Sequence, residues 1–486
     1  MDINLPSAKV NVITRFAKGK DKKNMIDNFK IAGGHKDTVE SASNILKEGG
    51  NAFDAAIAGV FASMSCEYLY TGAASGGAML VKKNGFSANI IDFFVETPPI
   101  DPSKVNDFKS INADFGNTKQ EFNIGAGSVG IPGTLPGLIQ VHKDYGSLPF
   151  SVLVEQAMDL AKKGCLVSKN QEYLSEVLSP IISSSKLLES LFTKGGSLLK
   201  EGDLFFNADF SSFLEQFVYE DAAAFYRHEV CPLFYNSFKE GGIIELKDLQ
   251  GYTPKKRIPL ELKYRGHNIF MNPEPSTGGA LINEGLKQLS GLDFVSKKDI
   301  EAALHKMKKF KDKDMIGSTT HLSIIDKENN VASVTTTNGV GAGFTVPGTG
   351  IMPNNMLGEK HLNLNGFHNW KSQQRIPSNI CPTLIVDKNN NLTTLGSAGS
   401  SRIISATISV ISNLLNNEMS LKESISKSRI HLEEDTLHCE PSYSHPEYKT
   451  ENVVIWGEKN MYFGGVNACS SFESVGDERR SGVSVQ

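Results

Sequence analysis

The sequence has few of the features that mark disulfide-linked, metal-binding, membrane or nucleic-acid-binding proteins. Its six cysteines include no Cys-x-x-Cys pair, and their wide spacing predicts buried thiols, not a disulfide framework or a zinc site. No uninterrupted apolar run reaches the roughly 18 residues of a membrane span, and residues 1–23 lack an apolar core of signal-peptide length. A net charge of −4, with lysines spread along the chain, gives no reason to expect nucleic acid or a membrane as partner. We therefore expect a cytoplasmic protein without a metal or other cofactor.

Common catalytic motifs are also missing. The sequence contains neither the Gly-x-Ser-x-Gly turn of many serine hydrolases nor a Walker A motif. The glycine-rich residues 339–343 follow a strand-like run, but Thr-Val-Pro-Gly comes soon after them, so no helix is placed to receive a pyrophosphate. His431, His438 and His445 recur every seven residues without a clear acidic framing. We expect neither a nucleotide site nor a metal site at these positions.

Composition and pattern indicate an ordinary soluble protein of mixed helices and strands. Hydrophobic residues make up 40% of the chain and charged residues 21%, and the length allows about three average domains or one large unit. Residues 37–40 have the spacing of a capping box, and Asn51 is placed to cap a second helix. Residues 103–124 are predicted to be a loop and residues 170–250 mainly helical. From residue 319 onward the pattern predicts a chain rich in strands.

A β-hairpin is the clearest local structure in the second half of the chain. Residues 321–325 and 331–335 are short β-forming runs, and residues 326–330 between them have the composition of a turn. If the turn is centred on its middle residue, Thr319 lies opposite Thr337. A shift of one residue would exchange the two faces of the hairpin. The sequence thus predicts that two threonines pair near the open end of the hairpin.

Thr319 has a position suited to a nucleophile. It follows Gly317-Ser318 and a hydrophilic segment, residues 308–314, that we expect to be exposed. A cut before Thr319 would give it a free α-amine, whose reference pKa of about 7.7–8.0 lets the amine act as base for the hydroxyl of the same residue. His321 is then expected to be structural. Taken alone, these residues favour a purely structural threonine in a strand.

Five blocks in the rest of the chain change that interpretation: residues 45–56, residues 129–134 with 145–149, residues 225–227, residues 275–279 and residues 319–321. In content and order they resemble blocks of the γ-glutamyltranspeptidase family, within the N-terminal-nucleophile hydrolase superfamily. The resemblance implies an α+β fold, the four-layer αββα sandwich. It also implies that the chain cuts itself into a large helix-rich fragment, residues 1–318, and a small strand-rich fragment, residues 319–486, which intertwine as one unit.

The activity implied by the resemblance is the transfer of a γ-glutamyl-like acyl group from a glutathione-type amide to water or an amine. Thr319 would be the nucleophile, first for cleavage of the Ser318–Thr319 bond and then for acyl transfer. Thr337 would hydrogen-bond Thr319 and orient it. The backbone of Gly399 and Ser400 would form the oxyanion hole, with serine in place of the second of the family's two glycines.

The residues that would bind the acyl group depart from the family pattern. Ser378 matches the first of two serines that bind the α-carboxylate, whereas Asn379 replaces the second. Glu359 matches the acidic residue that takes the α-amine. The family's arginine is missing, because residues 92–96 read Asp-Phe-Phe-Val-Glu around Phe94. Losing that charge-assisted pair, at roughly a few kcal/mol, makes glutathione a less expected substrate and a simple acylated amine a more credible one.

Three interpretations of function stay open at this point. They are a γ-glutamyl transferase or hydrolase, an acylase with a non-glutamyl acyl group, and a non-catalytic scaffold that keeps the fold. If a γ-glutamyl carboxylate binds nonetheless, Arg375 and Arg402 are the first cations to consider, since each lies within a few residues of an inferred site position. The partners expected are a small-molecule amide substrate and the two fragments of the chain itself.

Overall fold

The structure is a four-layer sandwich. It is a computed structural model that describes residues 28–114, 119–308, 318–363, 365–442 and 448–486. Two large antiparallel sheets lie face to face with an apolar cluster between them. On the outer side of each sheet, one further apolar cluster joins that sheet to a layer of helices. The α+β fold and the αββα sandwich expected from the resemblance are thus confirmed.

The strands and helices account for most of the described chain. In chain order the strands are β1 (Lys30–Gly33), β2 (Gly76–Lys82), β3 (Asn89–Phe93), β4 (Lys109–Asp114), β5 (Lys119–Ile124), β6 (Cys165–Leu166), β7 (Thr193–Lys194), β8 (Ser197–Leu198), β9 (Leu204–Phe205), β10 (Lys255–Arg257), β11 (Leu260–Tyr264), β12 (His267–Met271), β13 (Ser318–Ile325), β14 (Val331–Gly339), β15 (Thr383–Val386), β16 (Leu392–Ala398), β17 (Ile430–Glu433), β18 (Thr436–Cys439), β19 (Asn452–Ile455), β20 (Gly465–Ser470), β21 (Ser474–Val475) and β22 (Val483–Val485). The α-helices are α1 (Lys36–Lys47), α2 (Ala52–Cys66), α3 (Thr134–Tyr145), α4 (Phe150–Lys163), α5 (Lys169–Val177), α6 (Ser179–Ile182), α7 (Lys186–Phe192), α8 (Ala208–Tyr219), α9 (Ala222–Phe225), α10 (Cys231–Phe238), α11 (Leu246–Gly251), α12 (Thr277–Leu289), α13 (Lys297–Lys308), α14 (Arg402–Leu415) and α15 (Leu421–Ser426). Short 3₁₀ turns span Pro102–Lys104, Ala126–Ser128, Met356–Gly358, Lys360–Leu362, Met461–Phe463 and Glu478–Arg480, and a π turn spans Tyr226–Val230.

Each large sheet is built from both sides of the Ser318–Thr319 bond. The seven-stranded sheet has the order β10-β3-β2-β14-β13-β1-β22, so β13 and β14 lie between β2 and β1, which come from the first part of the chain. The six-stranded sheet has the order β11-β12-β15-β16-β20-β21, with β11 and β12 contributed by the first part. The two parts of the chain therefore share both sheets.

The helices next to the seven-stranded sheet follow the sequence signals closely. Asn51 caps α2 in a capping box with Asp54, as its position predicted. All residues of α2 are buried, because it packs against the sheet and against α1 and α4; this explains its apolar, alanine-rich sequence. The first helix, α1, begins after His35, whose ring accepts a hydrogen bond from the Asp37 backbone, and not with a box at residues 37–40. No helix within the described ranges has both the length and the apolar character needed to cross a bilayer.

One predicted loop is wrong. Residues 103–124 contain the hairpin of β4 and β5. Its residues Ala113, Phe122 and Ile124 enter an apolar cluster with α5, α6 and α7, but the polar residues between them concealed the alternating pattern in the sequence.

Residues 170–250 are mainly helical as predicted, with short strands interspersed. All six cysteines, each of them in the described part of the chain, are buried free thiols. Most of the segment 308–314, Gly317 and His445 lie outside the described residues.

The register of the β13–β14 hairpin agrees with the sequence prediction. Thr319 lies opposite Thr337, and the pairing continues without a slip to the turn. At the open end a bulge places Ser318 opposite Gly339. The turn is fixed by Asp326, whose Oδ1 accepts hydrogen bonds from the backbone of Glu328 and Asn330 at 2.9 Å each. This side chain sets the centre of the turn and, through it, the pairing of the two threonines.

A polar network lies on the face of this hairpin that meets the second sheet. The buried ring of His321 is 2.7 Å from Thr335 Oγ1 and 2.9 Å from Ser323 Oγ, and burial lowers its pKa to about 3. Gly396 on β16 makes room for the ring, because a Cβ there would lie 2.2 Å from its Cε1. His321 is thus a neutral packing residue between the sheets, which agrees with its predicted structural role.

Candidate active site

One cavity between the two sheets collects most of the predicted site residues. It is lined by Phe94, Thr319, Thr337, Gly339, Met356, Glu359, Leu362, Ser378, Asn379, Ile380, Ser400 and Ile403. Gly399 and Ser318 are chain neighbours of lining residues. Residues that are separated by more than 300 positions along the chain therefore meet at the end of β13 and β14, where the sequence prediction placed the nucleophile.

The hydroxyl of Thr337 contacts the peptide bond at which cleavage was predicted. It donates a short hydrogen bond to the carbonyl oxygen of Ser318, which is the carbonyl of the Ser318–Thr319 bond. The backbone of Gly339 donates to the same hydroxyl at 3.2 Å. The bulge at Ser318 makes this contact possible, because it turns that residue out of the regular ladder. That Thr337 also orients the hydroxyl of Thr319 in a cleaved chain stays a prediction.

This arrangement can promote attack on the Ser318 carbonyl carbon by the neighbouring hydroxyl. As the Thr319 oxygen bonds to that carbon, negative charge develops on the carbonyl oxygen. The Thr337 hydroxyl already donates to that oxygen, so it stabilises the charge where it forms. The proton of the Thr319 hydroxyl moves to the nitrogen as the C–N bond breaks, which leaves an ester between the Ser318 carbonyl and the Thr319 oxygen and a free α-amine. Hydrolysis of the ester by water completes the cut.

The turn between β16 and α14 carries the predicted oxyanion hole. Gly399 has φ +117° and Ser400 φ +52°, and a Cβ on Gly399 would come 3.1 Å from the Cα of Gly464. Ser400 holds a left-handed conformation that glycine adopts freely, at a cost of roughly 1–2 kcal/mol. The serine that replaces a family glycine is therefore accommodated in a glycine-like backbone geometry, and the role of its N–H stays a prediction.

Ser378 and Asn379 are held at the cavity by the start of α12. The carbonyl oxygen of Ser378 accepts hydrogen bonds of 2.8 Å from the backbone of Thr277 and from the hydroxyl of Ser276. The side-chain oxygen of Asn379 accepts from the hydroxyl of Thr277 at 3.0 Å. Gly278 permits this close packing, since a Cβ there would lie 2.2 Å from the Asn379 carbonyl oxygen. The block at residues 275–279 was recognised in the sequence, but its function as support for this segment was not.

Glu359 is the acidic side chain of the cavity. It follows the 3₁₀ turn at Met356–Gly358 and is buried. Burial raises its pKa to about 8, against the opposing effect of a hydrogen bond from the Val340 backbone. At neutral pH the carboxyl group is therefore mostly protonated.

The two arginines considered as substitutes for the missing cation are bound elsewhere. The Arg375 guanidinium forms an ion pair with Glu96 and lies 3.5 Å from Asp92. Arg402 pairs with Glu433 at 3.0 Å. Neither lines the cavity, and no lysine, arginine or histidine is among the described residues that do. The structure thus brings together the predicted nucleophile, the turn and the carboxyl group, and the described residues of the cavity wall include no cation.

Comparisons with known proteins agree with this assembly. The αββα sandwich with a threonine at the start of an inner strand is the class of the N-terminal-nucleophile hydrolases. The family model described as Gamma-glutamyltranspeptidase matches residues 38–311 and 296–481. The chain belongs to the gamma-glutamyltranspeptidase family and is an enzyme of the γ-glutamyltransferase-like type.

Relatives of both substrate classes are found. The glutathione hydrolase proenzyme of Escherichia coli strain K12 is 25% identical over 476 residues, which cover 82% of this chain and 80% of that protein. The Acylase ACY 1 proenzyme of Pseudomonas sp. strain V22 is 25% identical over 492 residues, covering 88% and 87%. The crystal structure of cephalosporin acylase from Bacillus halodurans has the same fold, with a TM-score of 0.78, 18% identity and coverage of 98% and 99%.

Thr337→Val should slow self-cleavage by about 10²-fold, the usual effect of removing one donor to a developing oxyanion. Thr337→Ser keeps the hydroxyl and should cleave close to the parental rate. Thr336→Val is the matched control, because Thr336 is buried beside it and its hydroxyl has no hydrogen bond within the described structure. Intact mass followed over time after purification measures the cut fraction. Equal rates for Thr337→Val and Thr336→Val would contradict the assigned contact.

Glu359→Gln should change how stability depends on pH. A carboxyl whose folded pKa is about 8 stays protonated in the fold while it ionises in the unfolded chain, so the parent protein loses stability as the pH rises from about 5 to 8. The glutamine variant lacks this loss, and the difference reaches at most about 5 kcal/mol, because the folded pKa of about 8 lies about 3.5 pH units above the ordinary value of 4.5 and each unit corresponds to about 1.36 kcal/mol. Urea unfolding of both proteins at several pH values measures it; parallel curves would show that Glu359 is ionised in the fold.

Proposed function

We propose that the chain cuts itself between Ser318 and Thr319, and that the new N-terminal Thr319 then transfers an acyl group from an amide to water or an amine. The observation that carries this proposal is the hydrogen bond from the Thr337 hydroxyl to the Ser318 carbonyl oxygen, with Thr319 at the cavity wall. The names of the two relatives, a glutathione hydrolase proenzyme and an acylase proenzyme, support a precursor that is processed. Residues 1–318 and 319–486 would remain together as the two fragments. The cellular location stays a prediction.

In the cleaved enzyme the chemistry needs no group beyond those of the site. The α-amine of Thr319 accepts the proton of its own hydroxyl as the oxygen attacks the substrate carbonyl. The charge on the substrate oxygen is stabilised at the Gly399–Ser400 turn. The amine then returns the proton to the leaving nitrogen, and an ester on Thr319 remains. Water or an acceptor amine attacks this ester in the second half of the reaction and regenerates the threonine.

Different residues of the cavity wall support two kinds of acyl group. A γ-glutamyl-like group is supported by Glu359, which can ionise when an ammonium group binds beside it. An acyl group without an α-carboxylate is supported by two observations. The wall has the apolar side chains Phe94, Met356, Leu362, Ile380 and Ile403, and no cation is among the described residues that line it. The name of the acylase relative agrees with the second possibility, so both are kept as candidates.

Intact mass and a substrate panel test the proposal together. The parent protein should appear as two species that correspond to residues 1–318 and 319–486, whereas Thr319→Ala should stay whole and inactive, because one hydroxyl performs both reactions. Release of aniline from γ-glutamyl, glutaryl and hexanoyl anilides identifies the acyl group. A parent protein that remains a single full-length species for days at neutral pH would falsify self-cleavage. Turnover that survives in Thr319→Ala would exclude it as the nucleophile.

Phe94→Arg tests the missing cation directly. Because a carboxylate contact is made equally in the ground state and the transition state, its gain should lower KM for a γ-glutamyl anilide by about tenfold or more, with little change in kcat. Phe94→Leu is the control, since it keeps an apolar side chain and should not improve KM. Michaelis–Menten measurements on the cleaved parent and both variants give the KM and kcat values to be compared. A parental KM already in the low micromolar range would mean that another group supplies the contact.

A further inference from the structure

A buried carboxylate lies directly under the strand that carries the predicted nucleophile. Glu67 follows the last residue of α2, and its side chain is buried. Its Oε2 accepts a hydrogen bond of 2.5 Å from the hydroxyl of Thr320 on β13. Its Oε1 accepts one of 2.6 Å from the hydroxyl of Thr38 on α1. The carboxylate thus joins β13 to the ends of two helices that are distant from it in sequence.

The hydrogen bond from Thr320 to Glu67 lies on the face of β13 that points away from the cavity. Successive side chains of a strand point to opposite faces, so Thr319 faces the cavity while Thr320 faces the helices. Leu322 and Ile324, which share the face of Thr320, pack in the cluster between the sheet and its helices. Glu67 therefore reaches the residue next to the nucleophile without lining the cavity.

We propose that Glu67 is the positioning residue that holds the start of β13, and with it Thr319, in place for catalysis after the chain is cut. This inference rests on the proposed function. Before cleavage the Ser318–Thr319 peptide bond holds the strand on its N-terminal side. After cleavage Thr319 is a chain terminus, and chain termini fray unless they are tied down. The hydrogen bond of Thr320 is then the nearest side-chain anchor that the structure shows behind the nucleophile.

The surroundings of Glu67 support a rigid anchor. A Cβ at Gly34 would lie 2.5 Å from Glu67 Oε2 and 2.8 Å from Thr320 Oγ1, so the chain passes over this bond at close range. Burial raises the pKa of Glu67, and the hydrogen bonds from the hydroxyls of Thr320 and Thr38 act in the opposite direction. A carboxyl group that is desolvated in this way needs hydrogen-bond donors, and each of its two oxygens has its own, Thr320 for Oε2 and Thr38 for Oε1. Misplacing a nucleophile by even 1 Å can cost up to about 10²-fold in rate, so a short, enclosed bond one residue away has a catalytic effect.

The test compares the two threonines that donate to the same carboxylate. Thr320→Val removes the donor on β13, and Thr38→Val removes the donor on α1 while β13 is untouched. Thr320→Ser keeps the hydroxyl, and Glu67→Gln replaces the carboxylate. Each full-length protein is purified, its cut fraction is measured by intact mass, and kcat and KM are determined per cut molecule with the anilide that the parent turns over. Hydrogen exchange of residues 319–325 reports directly on fraying of the strand.

We expect Thr320→Val and Glu67→Gln to lower kcat by about tenfold or more, with KM changed less than threefold, because the cavity wall itself is intact. Thr320→Ser should recover at least half of the parental kcat. Thr38→Val should stay within about threefold of the parent in kcat, even if its melting temperature falls. Faster hydrogen exchange at the start of β13 should accompany the loss of kcat in Thr320→Val.

The outcomes separate this inference from the proposed function. A parent protein that neither cleaves nor turns over an amide refutes the proposed function. If the parent is cut and active but Thr320→Val and Glu67→Gln match it in kcat, Glu67 has no positioning role. An equal loss of kcat in Thr38→Val and Thr320→Val would also overturn the inference, since it would show a general effect on the fold. If Thr320→Val fails to fold, the comparison of kcat between Glu67→Gln and Thr38→Val distinguishes a positioning role from a general effect on the fold.

Discussion

The antiparallel pairing of β13 with β14 is the interaction on which the rest of the site depends. It sets Thr319 opposite Thr337, and the bulge at its open end brings the carbonyl of Ser318 to the Thr337 hydroxyl. The same alternation that turns Thr319 toward the cavity turns Thr320 toward the helices. The turn at Asp326 therefore controls the geometry of the site from a distance. A slip of one residue in the strand register would move each of these side chains to the wrong face of the hairpin.

The site carries little charge before the chain is cut. Its carboxyl group, Glu359, is buried and mostly protonated at neutral pH. The two arginines that the sequence offered as candidates, Arg375 and Arg402, are bound to carboxylates outside the cavity. The α-amine released at Thr319 would then be the first basic group at the cavity wall, and it would appear at the atom that needs a base. A weakly charged cavity keeps that amine from being held protonated by neighbouring carboxylates.

The sequence was sufficient for the parts of the structure that are fixed locally. The turn composition and the β-forming runs predicted the pairing of Thr319 with Thr337, and Asn51 marked the start of α2. Matching blocks brought Glu359 and Ser378 into the site before any contact was known. What the sequence could not show depends on tertiary contacts. The hairpin at Lys109–Ile124 gains its apolar partners only from distant helices, and polar residues mask its alternation.

Contacts between distant segments were equally hidden. The hydrogen bond from the Thr337 hydroxyl to the Ser318 carbonyl depends on the bulge at Ser318. Nothing in the composition of the sequence marks such a bulge. The pairing of Arg375 with Glu96 joins segments that are 279 positions apart, so the sequence left that arginine as a candidate for the substrate. The bond between Glu67 and Thr320 spans 253 positions and likewise becomes visible only in the folded chain.

The interleaved order of the seven-stranded sheet changes what unfolding means once the chain is cut. β1 lies between β13 and β22, and β13 and β14 lie between β2 and β1, so the two fragments cannot separate without breaking ladders in the middle of the sheet. Dilution alone would not dissociate such a pair. Refolding, in contrast, would become a reaction between two molecules, each lacking two to four strands of each large sheet. The precursor can find its fold as a single chain, whereas the fold of a cut enzyme would depend mainly on slow unfolding.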